Sequence, residues 1–168
     1  MTALNEIESH IPALRRYAHA LMRDLDAGDD LVQDCLERAV AALPSRRPDG
    51  SLKAWLFRIL INRHRDILRR TARAGHLVAI ENLPVEPATP AGQDGHMALR
   101  ETEAAIARLP DDQRRALLLV ALEGASFDEA AAALEIPKGT FMSRLARARA
   151  ALRTMTGRAD SVRRKTHE

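Results

Sequence analysis

Apolar residues recur at three- and four-residue spacing through most of the chain, and strand-like alternation of β-branched residues is absent. The pattern predicts an all-α protein. Its first helix is capped by Ser9, has Pro12 in its opening turn, and runs to about Arg23 with Ile11, Leu14, Ala18, Leu21 and Met22 on the buried face. The next stretch, DLDAGDDLVQDCLERAVAAL, opens with Asp29 and Asp30 at the positive end of a helix dipole. Leu31 or Val32, Cys35, Leu36, Ala39, Val40 and Leu43 then form its apolar side, leaving Gln33, Asp34, Glu37 and Arg38 outside. Residues 44–50, PSRRPDG, read as a loop. Ser51 caps a long third helix, SLKAWLFRILINRHRDILRRTAR, whose core face is Leu52, Trp55, Leu56, Ile59, Leu60 and Ile67.

Periodicity fails between Leu77 and Leu99, where Pro84, Pro87, Pro90, Gly92 and Gly95 break any helix. This is the composition of a linker between two small helical domains. Extended, some twenty residues span at most ~70 Å, enough for two surfaces to reach separate places on one duplex. Beyond it, ALRETEAAIARL is helical, Pro110-Asp111 opens a further helix, and Gly124 closes that helix.

The segment from Ser126 to Arg153 has the grammar of a helix-turn-helix. Ser126 and Glu129 form an S-x-x-E capping box, and Phe127, Ala131 and Leu134 make an apolar stripe that stops at Ile136-Pro137. Pro137 lets a second helix start at once. In that helix Phe141, Leu145, Ala148 and Leu152 share one face, whereas Lys138, Arg144, Arg147, Arg149 and Arg153 carry positive charge with no acid between Pro137 and Arg153. A one-signed face interrupted by the small residues Ser143 and Ala146 is what a major-groove reader needs. The third helix offers a second basic face: Lys53, Arg58, Arg63, Arg65, Arg69, Arg70 and Arg73 oppose Asp66 alone, with Arg58, Asn62, Arg65, Asp66 and Arg69 on an outward stripe.

Composition adds mostly exclusions. The net charge is only +3, so the distribution of charge matters more than its sum. One cysteine, Cys35, rules out an internal disulfide framework and a Cys-rich zinc site, and its place on an apolar face marks a small core residue. No Walker loop, GxGxxG, HExxH or GxSxG occurs, and the histidines at 10, 19, 64, 76, 96 and 167 lack ligand spacing. No enzyme, metal site or cofactor is therefore expected. The longest uncharged apolar run, Ala116 to Leu122, is far too short for a bilayer, so membrane insertion is not expected either, and a cytoplasmic location fits. At this point a dimeric helix-turn-helix repressor and a helical protein-binding adaptor both remain open. The repressor leaves the acidic stretch Asp30 to Glu37 and the arginine-bearing loop after Leu43 unexplained, and the adaptor would leave the basic faces merely solvated.

Taken in order, DDLVQDCLERA, LKAWLFRILINRHRDILRR, a Pro-rich linker and RALLLVALEGASFDEAAAALEIPKGTFMSRLARARAAL resemble an extracytoplasmic-function (ECF) sigma factor over residues 10–153. The resemblance implies a transcription initiation factor with region 2 at 1–76, a linker at 77–97, region 4 at 98–156 and a basic tail at 157–168. It implies core RNA polymerase and promoter DNA as partners. Asp30, Gln33, Asp34 and Glu37 would dock on polymerase. Asn62 and Asp66 would lie near minus-10 bases, Arg63, Arg65, Arg69 and Arg70 on phosphates, and the loop Ser45 to Gly50 near a flipped base. Thr140, Met142, Ser143, Arg144, Ala146 and Arg147 would read the minus-35 element, flanked by Lys138 and Arg149. RRYAHALMRD, DDLVQDCLERA and LKAWLF look most like the alphaproteobacterial general-stress subgroup. An anti-sigma factor would then hold both regions away from polymerase until a response-regulator mimic removes it.

Overall fold

A computed structural model describes residues 2–75 and 94–157. The elements, in order, are α1 (Ala3–Met22), α2 (Leu25–Ala42), a 3₁₀ turn (Leu43–Ser45), α3 (Leu52–Ala74), α4 (Asp94–Arg108), α5 (Asp111–Ala121), α6 (Phe127–Leu134) and α7 (Lys138–Met155). Among the described residues there is no strand, as the apolar spacing predicts. α4 starts at Asp94, inside the stretch expected as linker. The rest of that stretch and nearly all of the basic tail lie outside the described residues.

α1 is capped seven residues before the expected position, because the Thr2 hydroxyl already accepts the N–H of Asn5 at 3.3 Å. Ser9 instead donates its hydroxyl to the Glu6 carbonyl within the helix, and Pro12 lies in the helix interior at an exposed position. The chain reverses at Arg23, whose φ of 54° gives a left-handed C-cap. Asp24 then caps α2 by accepting the Ala27 N–H at 2.9 Å. The expected dipole acid Asp29 is used otherwise, pairing with Arg15 at 3.1 Å and His19 at 2.7 Å across the two helices. Val40, expected in the core, is about half exposed.

Ser51 caps α3 as expected. The buried stripe of α3 is rotated, however, to Leu56, Phe57, Leu60, Ile61 and His64, with Trp55, Ile59 and Ile67 only half-buried. Two neighbours cause the rotation. α1 and α2 press on one flank, where Tyr17 meets Phe57 edge-on at 5.2 Å between ring centroids, and α6 presses on the other. The helices expected as two separate domains thus share one hydrophobic cluster. Tyr17, Leu14, Leu31, Leu56, Leu60 and Ile61 form its first half, and Leu119, Leu134 and Phe141 anchor its second.

Polar groups cross the seam between these halves. The buried Tyr17 hydroxyl donates to the Arg115 carbonyl at 2.9 Å, and the Arg115 Nε–H donates to His64 Nδ1 at 3.3 Å. Glu123, just beyond α5, has a side chain only 1% exposed and accepts both Nε and Nη2 of Arg16, at 3.1 and 2.9 Å. The Glu123 carbonyl receives Lys53 Nζ at 3.3 Å.

Two predictions follow from this packing. A Cβ at Gly28 would sit 2.5 Å from the His19 ring and 3.1 Å from the His19 backbone, so the α1–α2 approach depends on glycine. Gly28→Ala should lower stability by about 1–3 kcal/mol in urea denaturation, whereas Gly139→Ala, which meets nothing within 4 Å, should not. Burial and the neighbouring Arg115, Arg114 and Arg65 push His64 down to about 4, against the opposing pull of Asp111. A histidine held neutral in the folded state stabilises it fully above the unfolded pKa and loses that contribution as pH falls from about 6.5 toward 4. Lowering pH from 7.5 to 5 should therefore remove about 2 kcal/mol; denaturation of a His64→Leu variant should show a flatter profile across that window.

Candidate nucleic-acid and partner interfaces

The helix-turn-helix is built as its residues dictate. Both halves of the capping box are present: the Glu129 N–H donates to Ser126 Oγ at 3.1 Å, and the Ser126 N–H donates to Glu129 Oε2 at 3.1 Å. Such a cap contributes about 1 kcal/mol to a helix of this length. α6 ends at Glu135, which takes the left-handed conformation at φ 56°, and Pro137 precedes the first turn of α7. Phe127 and Phe141, with ring centroids 5.7 Å apart, lock the two helices together. α7 turns Phe141, Leu145 and Ala148 inward and leaves Lys138, Thr140, Met142, Ser143, Ala146, Arg147 and Arg149 exposed. Acids absent from α7 arrive from other elements. Asp112 lies 3.6 Å from Arg144, which is only 26% exposed, and Asp128 lies 3.1 Å from Lys138. Arg144 is thereby tied to α5, which departs from its expected place among the outward-facing readers.

α3 departs further. Arg69 and Arg70 are exposed, and Asp66 is half-buried 3.9 Å from Arg69. Arg58 and Arg65, expected with Asn62 on an outward stripe, reach the C-terminal end of α6 instead. Arg65 donates Nη2 to the Leu134 carbonyl and Nη1 to Asn62 Oδ1, each at 3.4 Å, and Arg58 lies 3.8 Å from Glu135. Arg63, expected on a phosphate, is 14% exposed and ion-paired with Asp34 of α2. Its Nη1 is buried without a hydrogen-bond partner. That pairing also draws Asp34 back from the acidic face of α2. Asp30, Gln33 and Glu37 stay exposed, with Gln33 Nε2 donating to Glu37 at 3.2 Å.

The loop after α2 borders an open pocket of about 410 Å³, lined by Ser45, Arg46, Arg47, Asp49, Trp55 and Arg58, with Ala132 of α6 also in its lining. Arg46 stacks over the Trp55 ring at 5.6 Å and donates to the Gly50 carbonyl at 2.8 Å. Gly50 has φ +118°, a conformation strained for any side chain. Cation and ring face together suit a stacked base. A second cavity, about 420 Å³, opens where the α1–α2 turn meets α4 and α5, with Leu25, Ile106, Leu118 and Leu122 among its lining. Its rim residue Leu25 is 68% exposed.

Cys35 is fully buried and its thiol is pushed up to about 12 by burial and by Asp34, in keeping with a core residue. Among the described residues no group of His, Cys, Asp and Glu could hold a metal ion, and no helix is long and apolar enough to cross a membrane. The polar seam residues Arg16, Tyr17, His64, Arg115 and Glu123 carried no signal in the sequence reading, since their partners lie far away along the chain.

Residues 7–61 match the family described as the Sigma2 domain of PhyR, and residues 99–152 match Sigma-70, region 4. The ECF RNA polymerase sigma factor EcfG of Rhodopseudomonas palustris (strain TIE-1) is 38% identical over 154 residues, which cover 88% of this chain and 81% of that protein. The ECF RNA polymerase sigma factor SigM of Mycobacterium tuberculosis (strain ATCC 25618 / H37Rv) is 36% identical over 149 residues, covering 88% and 74%. Among solved structures, the sigma factor RpoE in complex with the anti-sigma factor NepR from Bartonella quintana aligns with a TM-score of 0.74 and 36% identity, over 90% of this chain and 94% of that one. CnrH, in complex with the cytosolic domain of CnrY, aligns with a TM-score of 0.66 and 28% identity over 90% and 84%.

Proposed function

Because this chain belongs to the extracytoplasmic-function sigma factors of bacterial RNA polymerase, we propose that it binds core polymerase in the cytoplasm and directs it to promoters of a general stress response. The observation that carries this reading is the exposed reading face of α7, presented by a capped helix-turn-helix in the same chain as the acidic face of α2. The factor supplies recognition and leaves RNA synthesis to polymerase.

In this reading residues 1–76 act as region 2 and residues 98–156 as region 4. Asp30, Gln33 and Glu37 dock on a basic surface of the core enzyme, with Asp34 orienting Arg63 behind them. Complementary charge accelerates that encounter and fixes its register. Thr140, Met142, Ser143, Ala146 and Arg147 face minus-35 base edges, and Lys138, Arg144 and Arg149 the flanking phosphates. Asn62 and Asp66 read the minus-10 strand while Arg65, Arg69 and Arg70 hold its backbone. The cavity beneath Arg46 and Trp55 accepts an extruded base, which offsets the few kcal/mol that unstacking costs. The exposed apolar groove at Leu25 and Leu122 is where an anti-sigma factor would find apolar surface to cover.

Run-off transcription with purified core enzyme tests the assignment. Asp30→Lys combined with Glu37→Lys should abolish promoter-dependent transcripts, since like charges placed across such an interface cost several kcal/mol. The same changes lie on an exposed surface and should alter the unfolding free energy by no more than about 0.5 kcal/mol. Full transcription from that variant would sink the docking face. On the minus-35 side, Ser143→Ala and Arg147→Ala should shift preference among promoter variants by about 1–3 kcal/mol. Arg149→Ala should instead weaken binding across all sequences and reduce the salt slope by about one. Titrations of each variant against a panel of minus-35 duplexes distinguish the two behaviours.

A further inference from the structure

We propose that Asp112 of α5 and Asp128 of α6 are positioning residues for minus-35 recognition: each holds one cation at an edge of α7, so that its phosphate contact is made in one register of the helix and withheld in others. The inference rests on the reading of α7 as the minus-35 helix. Lys138 and Arg144 are six positions apart, which at about 100° per residue sets them on opposite edges of the buried stripe Phe141, Leu145 and Ala148. On the outward side between those edges lie Ser143, Ala146 and Arg147. Asp128 Oδ1 lies 3.1 Å from Lys138 Nζ, and Asp112 Oδ2 lies 3.6 Å from Arg144 Nε. The reading face is therefore bracketed by two ion pairs whose acids belong to two other helices.

Acids in the first turn of a helix have a common explanation, which is that they complement the positive end of its dipole. Here each first turn carries two, Asp111 and Asp112 in α5 and Asp128 and Glu129 in α6. One of each two works within its own helix: Asp111 pairs with Arg114 three residues on, and Glu129 completes the capping box. The other turns to α7. About half of the Asp112 side chain and most of that of Asp128 are exposed, so these ion pairs contribute little to stability. Their effect falls on binding instead. A lysine or arginine without a partner swings to meet whatever phosphate lies within reach, which adds affinity for any duplex. Held by a carboxylate, it meets phosphate only where the register of α7 in the groove brings the two together. Such restraint weakens wrong sites more than the right one, and discrimination is that difference.

The test titrates the full chain, without polymerase, against a random duplex and against the duplex that the wild type selects from a randomised pool. Asp112→Asn combined with Asp128→Asn keeps the size of both side chains and frees both cations. Each cation set free for phosphate adds about 0.9 to the salt slope on duplex DNA, so for two the loss of random-duplex affinity between about 50 and 200 mM salt should grow by about twelvefold. On the selected duplex, where Lys138 and Arg144 already meet phosphate, the slope should stay as in the wild type, and the ratio of selected to random affinity should fall. Glu6→Gln combined with Glu8→Gln, at two exposed acids of α1, changes the net charge equally and should do neither. If affinity for both duplexes rises equally, the two aspartates act only as negative charge; if both fall, they serve only the fold. Either result overturns the proposal, as does a random-duplex slope that does not steepen. A wild type that selects no sequence would remove the reading of α7, and the random-duplex slope would still decide whether the acids withhold their cations. Asp128→Asn alone, at the more exposed position, should steepen that slope by about half as much and serves if the double variant unfolds.

Discussion

A carboxylate held almost wholly out of water, that of Glu123, is the group on which the relation between the two halves turns. A buried charge is tolerable only when paired and hydrogen-bonded, and both of its hydrogen bonds come from Arg16 on the far side of the seam. The Tyr17 phenol is under the same obligation. Burial pushes its pKa up, so it remains a donor, and the acceptor it finds is a backbone carbonyl of α5. His64 is kept neutral by the same burial and accepts from Arg115, which leaves no water-exposed alternative for either ring or guanidinium Nε. These groups make closure directional. Apolar contacts at the seam would permit sliding, whereas several polar pairs that must be satisfied together select one relative placement of α1 and α3 against α5 and α6.

What could be read from the sequence was what local rules govern. The Ser126–Glu129 box, the stop before Pro137, the cap at Ser51 and the inward faces of α7 are properties of neighbours within one or two turns, and each is found where periodicity puts it. The misplaced features depend on distant partners. Ser9 has the right chemistry for a cap, but Thr2 supplies an earlier one and the helix simply runs through. The core stripe of α3 was misjudged because hydrophobic spacing identifies one buried face, and this helix is covered on two. Its second cover, α6, is joined to it through residues whose periodicity is broken by proline and glycine. The resemblance implies an outside partner for Arg63 and another for Asp34, yet the two satisfy one another. Charge reveals that a partner is required and says nothing about which one.

The basic face of α7 and the basic face of α3 differ in how they are exposed. α7 gains its accessibility from its own sequence, since Phe141, Leu145 and Ala148 bury one side and Thr140, Met142, Ser143, Ala146 and Arg147 face out. α3 has no such guarantee. On its basic side Arg65 is held by the Leu134 carbonyl and Arg58 lies beside Glu135, so part of that face is engaged within the chain.

Cys35 sets a boundary on how the protein can be informed. It is the single thiol of the sequence, it sits in the first half of the core, and burial raises it far above the pH at which a thiolate would form. Sulfenic acid formation and mixed disulfides begin from an accessible thiolate, so peroxide has no sulfhydryl to address here. An oxidative signal would not reach this protein through its thiol, which reports nothing about the oxidation state of the cell.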